Sequence, residues 1–170
     1  MAEKPRITLS NSLFFSWVEE EIAAGHNVRF AVKGYSMMPL LRSETDEVEL
    51  EPMGDSEARV GDILLFRYKG AHILHRVIEK SFSAEKGCSH YILRGDNVIG
   101  RREYATSYDV VGRVKSVYIR VADNGAGQQQ QAGRGCYTQK SPISAGYKFR
   151  LLLWRARSIA KIMVKRALGM

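Results

Sequence analysis

The apolar positions change period once near the start of the chain. Leu13, Phe14, Trp17, Val18 and Ile22 recur at helical spacing, with Ser10 or Asn11 placed to cap the first turn and Gly25 placed to end the last. From Asn27 the spacing becomes the near-alternation of Val28, Phe30 and Val32, which predicts a strand that stops at Gly34. Further strands are predicted over Glu47–Glu51, Ile63–Tyr68, His72–Phe82, Ser89–Leu93 and Val110–Val121. Gly61-Asp62, Lys69-Gly70, Gly95-Asp96 and Asn124-Gly125 supply turn chemistry between or after them. One helix ahead of strand after strand with short turns predicts a mostly β domain rather than a doubly wound α/β sheet.

Beyond Val121 the pattern lapses. Residues 123–146 are rich in Gly, Gln and Ser, including Gln128 to Gln131, and carry no apolar period, so they read as a flexible linker. Residues 147–170 return to a helical composition, with Leu152, Ala156, Ile159, Ala160, Met163 and Ala167 on one side and most basic residues on the other. The expected organisation is a domain over 1–122 with its N-terminal helix, a linker over 123–146, and a basic amphipathic helix over 147–170.

Charge sharpens this division. The chain has 170 residues and a net charge of +8, a length that suits one core. Lys148, Arg150, Arg155, Arg157, Lys161, Lys165 and Arg166 stand in a tail without acidic residues, which leaves the rest nearly neutral. A cationic amphipathic helix suits an anionic membrane surface or packing on the domain. Nucleic acid is not an expected partner, because the body shows neither a helix-turn-helix pattern nor aromatic residues interleaved with charge. No apolar run reaches the length of a membrane span, and Glu19, Glu20 and Glu21 interrupt the best candidate. Cys88 and Cys136 read as free thiols of a reducing compartment. The expected location is cytoplasmic, with peripheral membrane contact through 147–170.

The stretch with most chemical content is Gly34-Tyr35-Ser36-Met37-Met38-Pro39, where a predicted strand ends and a proline can open the next turn. A serine at such a backbone change is exposed, and the amides that follow can face a developing oxyanion. Alone, Gly-x-Ser is ordinary turn chemistry. It is followed, however, by Gly61-Asp62-Ile63-Leu64-Leu65-Phe66, Ile73-Leu74-His75-Arg76-Val77-Ile78, Leu93-Arg94-Gly95-Asp96-Asn97 and Val110-Val111-Gly112-Arg113-Val114.

This ordered set, from Val32 to Val117, resembles the signal peptidase and LexA-type serine peptidase superfamily. The resemblance implies a signal-peptidase/LexA-like complex β fold, Ser36 as nucleophile and the residue at 75 as general base. Lysine in most bacterial signal peptidases and LexA-type repressors is replaced here by His75 followed by Arg76-Val77, as in the endoplasmic-reticulum branch. Imidazole titrates near neutrality and accepts a serine proton without the deep burial a lysine base requires. The implied activity is cleavage of an extended peptide or precursor after a small residue such as alanine or glycine. No cofactor or metal is implied.

The resemblance loosens in two places. The endoplasmic-reticulum branch has an aspartate pair beyond its Gly-Asp-Asn box, where this chain reads Val98-Ile99-Gly100-Arg101-Arg102-Glu103. Asp96 is the first candidate for the carboxylate that orients His75, and Glu103 the second. Some relatives also carry a serine two residues before the nucleophile, where this chain has Gly34, leaving the Ser36 amide as the main oxyanion donor. Met37, Met38 and Pro39 are assigned to the oxyanion and substrate-binding turn, although methionines at such spacing also serve simply as core filling. His72 and His75 are three apart on a strand and so point to opposite faces, which argues against a shared metal. Two other functions fit the same residues. An impaired relative would act as a peptide-binding or membrane-tethered module. A LexA-type self-cleaving regulator is disfavoured by His75, by the missing DNA-binding domain and by the short reach from Ala24-Gly25 to Ser36.

Overall fold

The computed structural model describes residues 11–54, 56–121 and 137–142, together with Leu152 and Ala156. Helix α1, Asn11–Ala23, buries Val18 and Ile22 and ends where the apolar spacing ends. Gly25, at φ 89°, closes it: the Gly25 amide donates to Ile22 O and the His26 amide to Glu21 O. Those two bonds satisfy carbonyls the last helical turn leaves open, and only glycine adopts that left-handed conformation without strain.

Eight strands follow: β1 (Val28–Ala31), β2 (Glu47–Glu51), β3 (Ile63–Tyr68), β4 (Ala71–Ser83), β5 (Cys88–Arg94), β6 (Glu103–Thr106), β7 (Val110–Arg120) and β8 (Tyr137–Lys140). The protein is mostly β, as the spacing predicts. The strands form one antiparallel sheet in the order β1-β2-β7-β3-β4-β5-β6, with β8 added to β7. Lys69 and Gly70, both at positive φ, make the two-residue turn between β3 and β4, the geometry whose twist suits a tight hairpin.

β3 explains why the sheet has two cores. Ile63 and Leu65 face a cluster with Val18, Ile22, Val48, Leu50 and Val117, whereas Leu64 and Phe66 face a second cluster with Val77, Tyr91, Leu93 and Ala105. A strand covered on both faces needs apolar residues at successive positions rather than at alternate ones, and Ile63 to Phe66 are all buried. Burying four such side chains contributes on the order of 1.5–3 kcal/mol each.

Two elements differ from expectation. β6 carries Glu103 at a buried position and Tyr104 at an exposed one, the inverse of an ordinary strand pattern, so polarity concealed it. β8 lies inside 123–146, which read as linker. Its residues are mostly exposed, so no apolar alternation marks it, yet it pairs with β7 from Val117 to Arg120. Gln139 donates to Ser116 Oγ across that pairing. Of the amphipathic helix expected over 147–170, only Leu152 and Ala156 are described, both helical and exposed; the rest, like Cys136, lies outside the described residues. Among the described residues no helix is long and apolar enough to cross a membrane.

Candidate active site

Gly34 turns the chain out of the β1 direction at φ 102°, a value that favours glycine, and its amide donates to Ser43 Oγ. Ser36 follows, half-buried, between the exposed Tyr35 and the buried Met37. Met37 fills the first core and thereby fixes the turn. Met38 and Pro39 are half-buried and joined by a cis peptide bond; Pro39 continues the turn and opens no helix. No hydrogen bond engages the Ser36 amide among the described residues.

The Gly95-Asp96-Asn97 turn is built against this segment. The Asn97 amide donates to Ser36 O at 2.8 Å and Asn97 Nδ2 to Tyr35 O at 3.2 Å, so one residue holds two consecutive carbonyls. Gly95 allows the approach. A Cβ there would stand 2.7 Å from Ser36 O, 2.8 Å from Val98 Cγ2 and 2.9 Å from His75 Nε2. His75 Nε2 and the Ser36 backbone are therefore neighbours across a residue that has no side chain.

His75 sits on β4 opposite Leu64, 5% exposed, with its ring near Phe66. Its Nδ1 lies 2.9 Å from Glu103 Oε2, and Glu103 is itself buried. The carboxylate accepts, so Nδ1 carries the hydrogen and Nε2 keeps its lone pair, with no partner among the described residues. Arg101 Nε, on an exposed side chain, reaches the other oxygen, Oε1, at 3.2 Å. Burial pushes the His75 pKa below its ordinary value; Glu103 and Asp96 oppose that shift and Arg101 adds to it. The ring is thus held neutral near pH 7.

Asp96, the first candidate for orienting His75, is engaged elsewhere. Its two oxygens accept from Arg76 Nε at 3.0 Å and Nη2 at 2.9 Å in a buried bidentate pair. Arg76 Nη1 also donates to Gly61 O at 2.6 Å and Pro142 O at 3.1 Å. The reason is parity: His75 and Arg76 are consecutive on a strand and point to opposite faces, so the carboxylate that meets one does not meet the other. Glu103 takes the histidine and Asp96 ties the turn to β4.

No family model, curated protein or solved structure matches this chain. Its chemistry follows from its own geometry.

A cavity of about 420 Å³ has Ser36 in its lining, and His75 does not line it. Its walls come from β1 and the residues after it, from His72, Ile73 and Leu74 of β4, from Leu65 of β3, and from Phe14 and Phe15 of α1. Among the described residues β1 and β4 present unpaired edges there. β1 ends the sheet, and β4 pairs with β5 only from Arg76 onward. Val32 bonds inward, donating to Asp46 O and accepting from the Glu44 amide, so by alternation the peptide groups of Ala31 and Lys33 face the cavity.

His72 belongs to the wall rather than to the His75 cluster. Its Nε2 lies 2.6 Å from Glu19 Oε1, and its ring stacks on Phe15 with centroids 4.5 Å apart. Among the described residues no group of three or more His, Cys, Asp or Glu side chains could hold a metal. Residue-by-residue reading missed Asn97, Arg101 and the partner of Arg76. The Gly-Asp-Asn box carried a signal for the first, since asparagine commonly bonds nearby backbone. Nothing in the spacing marks Arg101.

Proposed function

We propose that the protein is a serine peptidase in which Ser36 is the nucleophile, His75 the general base and Glu103 the residue that positions His75. The fold proposed with it is the signal-peptidase/LexA-like complex β fold. The observation that carries the reading is the buried His75–Glu103 bond, which among the described residues leaves Nε2 as an unpartnered acceptor beside the Ser36 backbone. A purely structural histidine would have both ring nitrogens satisfied. An extended substrate enters between the free edges of β1 and β4 and pairs with them by β-augmentation. Ser36 Oγ attacks the scissile carbonyl carbon while Nε2 takes the hydroxyl proton, and the Ser36 amide donates to the oxyanion. As the C–N bond breaks, the imidazolium returns the proton to the leaving amine. Water, deprotonated by the same nitrogen, then attacks the acyl carbon, and as the ester C–O bond breaks the imidazolium returns the proton to Ser36 Oγ. Glu103 stabilises the imidazolium formed in each half.

Labelling by a fluorophosphonate, with mass spectrometry to locate the adduct, tests this reading. The expected result is modification of Ser36 in the wild-type chain and none in His75→Ala. Equal labelling of both proteins, or none of either, would leave the slot as that of a peptide-binding module. Incubation of the intact chain at mildly alkaline pH tests self-cleavage, and an unchanged mass excludes the regulator.

A further inference from the structure

The cavity beside Ser36 is large for a substrate recognised only by the small residue before the cut. Its volume of about 420 Å³ falls among the sizes of dedicated ligand pockets. An alanine side chain is a single methyl group and fills little of it. Part of the lining is aromatic: Phe14, Phe15 and Phe30 meet edge to face, with centroids 5.2 Å, 5.4 Å and 6.3 Å apart. Leu41, Leu65 and Leu74 add apolar surface to the same lining.

These walls are already ordered. Phe15 is stacked on His72, His72 is held by Glu19, and Val18 and Ile22 of the same helix are anchored in the core. A preformed apolar cavity binds best the group that fills it, because no ordering cost is added on binding. The flanking edges of β1 and β4 determine that this group arrives on an extended peptide, since they offer unpaired backbone along the length of the cavity.

We infer that this site selects an extended peptide carrying one bulky apolar side chain, phenylalanine or leucine, which seats against Phe14, Phe15 and Phe30 a few residues from the bond at Ser36. This deepens the peptidase reading, yet the pocket's selectivity can be measured without turnover.

The test uses the full chain with Ser36→Ala and fluorescent decapeptides of alanine and serine, into which phenylalanine is introduced one position at a time. At one position phenylalanine should tighten binding about tenfold or more over alanine, the gain expected for burying such a ring. Phe15→Ala should reduce that gain, and Phe30→Leu, which keeps the core filled, should reduce it less. Equal affinity across the series, or no binding by any peptide, overturns the inference. Fluorophosphonate labelling of wild-type protein runs in parallel. Labelled Ser36 with a flat peptide series sinks the selectivity alone; a selective series without labelling sinks the peptidase reading and leaves the pocket.

Discussion

Glu103 Oε2 and His75 Nδ1 meet at 2.9 Å, inside the second core, although 28 positions separate the two residues. A buried carboxylate placed on a histidine fixes one tautomer and favours the imidazolium when it forms. Glu103→Gln removes the charge and keeps the shape. Turnover of a peptide substrate should fall by about 10²–10⁴-fold with little change in KM. The His75 imidazole resonances, followed by NMR, should titrate at lower pH than in wild type. An unmoved titration would show that Glu103 does not act on the ring.

Burial holds the His75 pKa below its ordinary value, and the sign of the linkage follows. Between the folded and unfolded pKa values the unfolded chain binds more protons at this position, so stability rises with pH there. The His75 contribution should be complete above about pH 6.5 and diminish as pH falls from there through the folded value. Comparing urea midpoints of wild type and His75→Gln across this range isolates it. The acid limb of kcat/KM should lie in the same window.

Arg101 contacts the Glu103 oxygen that His75 leaves free, and its charge disfavours the imidazolium. Arg101→Gln should therefore raise the His75 titration, and Arg101→Lys should restore most of the difference. The acid limb of kcat/KM should move with it. A titration identical in all three proteins would reduce Arg101 to a surface residue.

Gly95→Ala places a methyl group where Ser36 O, Val98 and His75 Nε2 already crowd within van der Waals distance. The turn must move away, carrying the Asn97 amide from Ser36 O. Peptide cleavage should drop about 100-fold or more, the cost of misplacing reacting groups by about 1 Å. Gly87→Ala, in an open turn with no atom near its Cβ, supplies the control for general backbone strain.

Asp96→Asn leaves the Arg76 guanidinium buried without its bidentate carboxylate. Removing one partner of such a pair costs about 3–5 kcal/mol, readable as a lowered denaturation midpoint. A loss under about 1 kcal/mol would show that Gly61 O and Pro142 O suffice to hold Arg76.

The helix and the first seven strands other than β6 were legible because each rests on local pattern. β3 shows this best, since four consecutive apolar residues between turn signals require two buried faces. β6 was hidden by its own chemistry: Glu103 occupies the inward position an apolar residue would advertise. The choice between Asp96 and Glu103 needed three dimensions. Both are acidic and both are near in sequence, but only the facing of His75 and Arg76 on β4 decides which carboxylate each receives. The large cavity was illegible for a further reason, since its walls come from four segments, α1, β1 with the residues after it, β3 and β4, whose meeting no single stretch encodes.

Pro142 O is tied to Arg76, the residue after His75, so the chain departs from the sheet beside the site. Four residues separate that anchor from position 147, and the five steps span at most about 18 Å. A partner that gripped position 147 would therefore stand within that distance of Pro142, and a substrate displayed on it would meet Ser36 at a local concentration that dilution in free solution would not supply.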